Sequence, residues 1–116
     1  MRIDPDHAAA HFHLGNVLAG QGNLEGAMAH YQKAVQTNPD FAEAHHNLGR
    51  VLAAQGRLDK AVDHFRRAVE IRPDFAEARV SLSQALAEQG KTDEAMKQNQ
   101  EAFRILQSRS ADSGPR

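Results

Sequence analysis

Seven histidines in a chain of 116 residues are the first candidates for chemistry. His7 and His11 are four positions apart, a spacing that puts two imidazoles on one face of a helix. Such a pair can hold zinc or nickel, but a stable site takes a third and a fourth ligand with partners that orient them. His13, His45 and His46 are the only further imidazoles placed to join in, and nothing in the sequence orients them. No metal site and no cofactor are therefore predicted. His11 with His45, and His30 with His64, recur 34 residues apart, which reads as structure: the first two at a packed core edge, the other two structural or facing solvent. His13 and His46 carry a different chemistry, a change of charge between about pH 5 and 7 that would modulate binding.

Nucleophiles are equally sparse. All the serines (Ser81, Ser83, Ser108, Ser110, Ser113) lie in the last third of the chain, without a base and a group to orient it, and there is no cysteine. There is no phosphate-binding loop, no dinucleotide fingerprint and no HExxH zinc motif, so a non-catalytic protein is expected. A net charge of −1, with Arg66 and Arg67 as the only basic cluster, argues against nucleic acid. No apolar run is long enough to span a membrane, and MRIDPDHAAAH lacks a signal-peptide core, so a cytoplasmic location is the default expectation.

The elements that must position these side chains repeat. NPDFAEAHHNLGRVLAAQ begins at Asn38, and RPDFAEARVSLSQALAEQ begins 34 residues later at Arg72. Pro5, Pro39 and Pro73 keep the same interval, the mark of a repeat architecture. Within the first copy, His11, Leu14, Gly15 and Leu18 share one face of a helix expected from Ala8 to about Gln21 and are read as its buried side. Gln21 and Gly22 end that helix, and Leu24, Ala27, Met28, Tyr31, Ala34 and Val35 form a second stripe that Pro39 stops. Each copy is thus a helical hairpin. Asp40 and Glu43 form an acidic version of the capping box at the start of the second copy. The third copy departs from the pattern, with Asn99 in place of Tyr31 and Phe65 and a polar run from Lys97 to Glu101, which predicts a terminal helix that stops the array. The expected organisation is repeats at 8–41, 42–75 and 76–109 in one domain spanning 1–109. Residues 1–7 are then a lead-in or the remnant of a preceding repeat, and 110–116 a disordered tail.

The pattern of leucine followed by a small residue (Leu14/Gly15, Leu48/Gly49, Leu82/Ser83) continues as alanine (Ala27, Ala61, Ala95), an aromatic (Tyr31, Phe65), alanine (Ala34, Ala68, Ala102) and proline (Pro39, Pro73). Over most of its length the chain resembles the tetratricopeptide repeat (TPR) family. Its phrasing is similar to the arrays of O-linked N-acetylglucosamine transferases and of bacterial TPR scaffold proteins. The resemblance implies an all-α solenoid of three helix-turn-helix repeats, wound as a right-handed superhelix whose first helices line a concave groove.

It also implies what the groove holds: an extended peptide or a helix of another protein. The helical period supports the same face independently. It brings Phe12, His13 and Asn16 of the first copy into columns with Glu43, His46, Asn47 and Arg50 of the second and Glu77, Val80, Ser81 and Gln84 of the third. Amides there can bond a peptide backbone, Phe12 and Val80 offer apolar contact, and Arg50 can pair with an acidic side chain or with Glu43 or Glu77. The lysine-rich carboxylate clamp of chaperone-docking members is not expected, since Phe12, Glu77 and Ser81 occupy its basic positions and only Asn16 and Asn47 fit. The expected partner is a protein or peptide. The alternatives are a homo-oligomer joined through the first hairpin's open side, around Ala8, His11 and Met28, and the substrate-selecting arm of a larger enzyme such as a glycosyltransferase.

Overall fold

Three glycines set the corners of the chain. Gly22, Gly56 and Gly90 have φ of 80°, 78° and 83°, the left-handed region in which a Cβ is strained. Around each, the same two bonds close the preceding helix. The Gly22 N–H donates to the Ala19 carbonyl at 3.0 Å and the Asn23 N–H to Leu18 at 2.9 Å, with counterparts at Gly56/Arg57 and Gly90/Lys91. This is the Schellman closure, repeated three times. In a computed structural model that describes residues 5–113, with side chains for 7–110, the corners separate the helices of three hairpins. These are α1 (Pro5–Gly20) with α2 (Leu24–Thr37), α3 (Ala42–Ala54) with α4 (Leu58–Ile71), and α5 (Ala76–Glu88) with α6 (Thr92–Ser113). Each helix packs on its neighbours in sequence, and α3 also meets α5, so the hairpins stack side by side as an all-α solenoid. The radius of gyration of 15.1 Å exceeds the roughly 13 Å of a compact chain of this length, as an open stack requires.

The helix starts differ from expectation. Pro5 opens α1 as its first residue, a position where the missing N–H costs nothing, whereas Pro39 and Pro73 stay in the turns. The capping box at Asp40 and Glu43 does not form. Phe41 and Phe75 are the residues before α3 and α5, and neither can cap with its side chain. Their rings lie instead 4.9 Å from Phe12 and 5.0 Å from His46 across the junctions between hairpins. A lost cap costs about 1 kcal/mol, and burying the ring, fully at Phe75 and in part at Phe41, gains up to about 1.5–3, so the ring takes the position. Asp40 lies 3.6 Å from Arg67, and Glu43 lies 3.7 Å from Arg72.

Inside each hairpin a ring determines how close the helices come. A Cβ on Gly15 would lie 2.5 Å from the Tyr31 ring, and one on Gly49 would lie 2.6 Å from Phe65. In the third hairpin Asn99 replaces the ring and Ser83 replaces the glycine: where nothing wedges in, a side chain fits. Leu48, Phe65, Leu82 and Leu86 are the largest fully buried side chains of the core.

Three expectations about the ends do not hold. Leu14 is 48% exposed although its counterparts Leu48 and Leu82 are each 1% exposed, because the described residues place nothing over the outer face of α1. The last helix does not close the stack with a polar face, since Met96, Phe103 and Leu106 stand exposed on it. It also runs to Ser113, so residues 110–113, assigned to the tail, are helical, while 114–116 and the lead-in residues 1–4 lie outside the described residues.

Candidate groove site

The row of first helices α1, α3 and α5 carries two adjoining hollows with Arg50 between them. The first, about 350 Å³, lies between α1 and α3 and is lined by Asn16, Tyr31, Asn47, Arg50 and apolar neighbours including Leu24 and Val51. The second, about 210 Å³, lies between α3 and α5, with Arg50, Phe65, Ser81, Gln84 and Glu88 in its wall. The amides of the first hollow are held. The Tyr31 hydroxyl donates to Asn16 Oδ1 at 2.6 Å, and Asn47 Nδ2 donates to the same oxygen at 2.9 Å. With that oxygen occupied, Asn16 Nδ2 and Asn47 Oδ1 are the donor and acceptor left to a ligand. Tyr31 comes from α2, and sequence reasoning had given it only a core role. The signal lay in its being the one tyrosine of the chain at a position where the next repeat has Phe65.

Arg50 makes no ion pair with any described residue. The two acidic partners expected for it are engaged elsewhere, Glu43 with Arg72 and Glu77 with Arg109 at 3.4 Å, and Glu88, in the wall of the second hollow, makes no ion pair with it. An exposed guanidinium with its donors unclaimed, set between two hollows, can pair bidentately with a carboxylate from outside.

Other residues of the expected face do different work. Phe12 is 8% exposed and packed against Phe41, so it belongs to the first junction and offers a ligand no apolar surface. His46 is also buried. Its Nε2 and the Ser81 hydroxyl share a hydrogen bond of 2.8 Å between α3 and α5. Burial, reinforced by Arg50, lowers its pKa to about 4. It therefore stays neutral from pH 5 to 7, and the expected pH-sensing role does not apply to it. His13 is exposed, with its ring 5.6 Å from that of Phe12. Val80 is half-buried and faces α6 in a third hollow, with Met96, Phe103 and Leu106.

The histidines do not converge on a centre. His45 donates from Nε2 to the Pro39 carbonyl at 2.9 Å, which leaves Nδ1 to accept from His64 Nδ1 at 3.1 Å. Arg79 makes the equivalent clamp in the third hairpin, to the Pro73 carbonyl and to Gln98. In the first hairpin His11 faces His30 at 3.0 Å with one ring nitrogen and His7 at 3.1 Å with the other. Burial lowers the pKa of His11, His45 and His64, helped at His11 by His7 and His30 and at His64 by His45. Among the described residues no group of three or more His, Cys, Asp or Glu side chains is placed to hold a metal ion, and no helix is long and apolar enough to cross a membrane.

The stack has close counterparts among solved structures. The crystal structure of MamA superposes with a TM-score of 0.86 at 28% identity, covering 93% of this chain and 63% of that one. YrrB, described as a TPR protein with an unusual peptide-binding site, gives 0.79 at 27% identity, covering 85% of this chain and 51% of that one. The second TPR of Spaghetti (RPAP3), bound to an HSP90 peptide, gives 0.85 over 87% of this chain at 17% identity, a likeness of fold alone. The chain thus spans less than two thirds of the MamA and YrrB structures. No curated protein matches it in sequence. A family model described as TPR repeat matches residues 16–56, and one described as tetratricopeptide repeat matches residues 40–108. The second match covers more than half the sequence and opens at the turn before α3, so the chain belongs to the tetratricopeptide repeat family.

Proposed function

We propose that this chain is a non-catalytic interaction scaffold that holds an extended peptide or a helix of another protein along the row formed by α1, α3 and α5. One observation carries the reading: Arg50 is exposed between two hollows and makes no ion pair with any described residue, while Glu43 and Glu77 are paired elsewhere. A stretch of peptide with an acidic side chain supplies what Arg50 lacks, and the amides of Asn16 and Asn47 can bond its backbone whatever its sequence. His13, Gln84 and the Ser81 hydroxyl border the same path and complete the proposed contact set. Glu43 and Glu77 flank it, each engaged with an arginine, Arg72 and Arg109. The peptide-binding site named for YrrB, on a similar stack, supports the reading.

Selection from a random peptide library on the immobilised chain tests it. Binders should share an Asp or Glu at a fixed position. Their affinity should fall at least about tenfold for Arg50→Gln, as loss of a charge-assisted hydrogen bond worth about 1.5–3 kcal/mol requires. Binders that lack a common acidic residue, or that hold Arg50→Gln and Asn47→Ala as tightly as the parent, would refute the proposal.

A further inference from the structure

The large apolar side chains that stand exposed among the described residues are confined to the two ends of the stack. Leu14 and Val17 (57%) lie on α1, and Met96 (54%), Phe103 (62%) and Leu106 lie on α6. The 34-residue stride shows what these positions do where the stack is continuous. Leu14 and Val17 correspond to Leu48 and Val51 of α3 and to Leu82 and Ala85 of α5, all buried. Met96 and Phe103 correspond to Val62 and Val69 of α4, which are buried, and to Met28 and Val35 of α2, which pack against the core. Each internal junction joins a second helix to the first helix of the next hairpin, α2 to α3 and α4 to α5. The outer face of α6 is therefore the giving half of such a junction, and the outer face of α1 is the receiving half. At the junctions Phe12 meets Phe41 and His46 meets Phe75, whereas their counterpart Val80 borders an open hollow of about 430 Å³ with Met96 and Phe103.

We infer that copies of this chain associate head to tail, with α6 of one copy seated on α1 of the next in the register of the α2–α3 and α4–α5 junctions. The argument for a second copy as occupant is continuity: the chain already makes this interface twice, and each end carries one half of it. The contact is heterologous. Two α6 faces or two α1 faces would bring like halves together, whereas α6 on α1 leaves an open end at each side of the pair and so continues to grow. The surface lies at the ends of the stack, away from the groove around Arg50, so assembly and peptide capture are independent.

Sedimentation equilibrium of the full chain, with blocked variants, tests the inference. The parent's average mass should rise with concentration past that of a dimer. Leu14→Glu blocks the head and Phe103→Glu blocks the tail; each alone should remain monomeric, and an equimolar mixture should form a one-to-one dimer and stop there. Both positions are exposed, and unchanged far-UV circular dichroism confirms that the variants fold. A parent that stays monomeric at every concentration overturns the inference and leaves the end faces to another partner. Self-association of either single variant overturns it in favour of a symmetric pairing of like faces.

Discussion

His46 gives the most decisive test of the packing. Its imidazole is buried between Phe65 and Phe75, bonded to Ser81, and its pKa is lowered to about 4 from 6.5. The folded value lies below the unfolded one, so as pH falls the unfolded chain takes up the proton first. The stability that His46 contributes by staying neutral is complete above pH 6.5 and is lost as pH falls towards 4. At about 1.4 kcal/mol per pH unit, a gap of about two and a half units amounts to about 3.4 kcal/mol in full and about 3 at pH 4, where the folded group is half protonated. His11, His45 and His64 shift in the same direction, so the parent alone cannot isolate the effect. The control is His46→Phe, which copies Phe12, the residue at the same place in the first junction. Urea unfolding followed by circular dichroism at pH 7 and pH 4 should show the parent losing about 3 kcal/mol more than the variant between the two. Equal losses, or proton NMR that finds His46 titrating near 6.5, would refute the account of burial.

Two further outcomes follow from the repeat positions. Leu48→Ala should destabilise by about 2–5 kcal/mol and Leu14→Ala, at the same place in the repeat but exposed, by no more than about 0.5, as measured by thermal or urea unfolding of dilute monomer. Gly49→Ala should cost about 1–3 kcal/mol because its Cβ meets the Phe65 ring, and pairing Gly49→Ser with Phe65→Asn, as in the third hairpin, should show a favourable coupling in a double-mutant cycle.

The hairpins, their stride and their glycine corners were legible because they are local: a 3.6-residue period and a left-handed glycine depend on a few neighbours in sequence. The faces were less so. The period shows that His11, Leu14 and Leu18 share a side, but not what lies over that side, and this is why Leu14 was expected in the core while Phe12 was expected in the groove. The Asp40 cap lost to a ring contact with Phe12, a residue 29 positions away from Phe41, which no local signal reports. In the candidate site, Asn16, Asn47 and Arg50 were identified by spacing, whereas Tyr31 reaches them from another helix. The spacing of His7 and His11 gave their proximity, and the third member, His30, arrives across the hairpin.

The absence of a ring between α5 and α6 sets the order in which the molecule opens. Tyr31 and Phe65 each bolt their hairpin shut against a glycine, while Ser83 and Asn99 leave the last one without that wedge, braced on one side by α4, the Arg66 to Glu94 ion pair and the His46 to Ser81 hydrogen bond. In a linear stack every unit leans only on those beside it. Opening therefore begins at the C-terminal hairpin and proceeds inward, and the middle pair, supported on both flanks, is the last to let go.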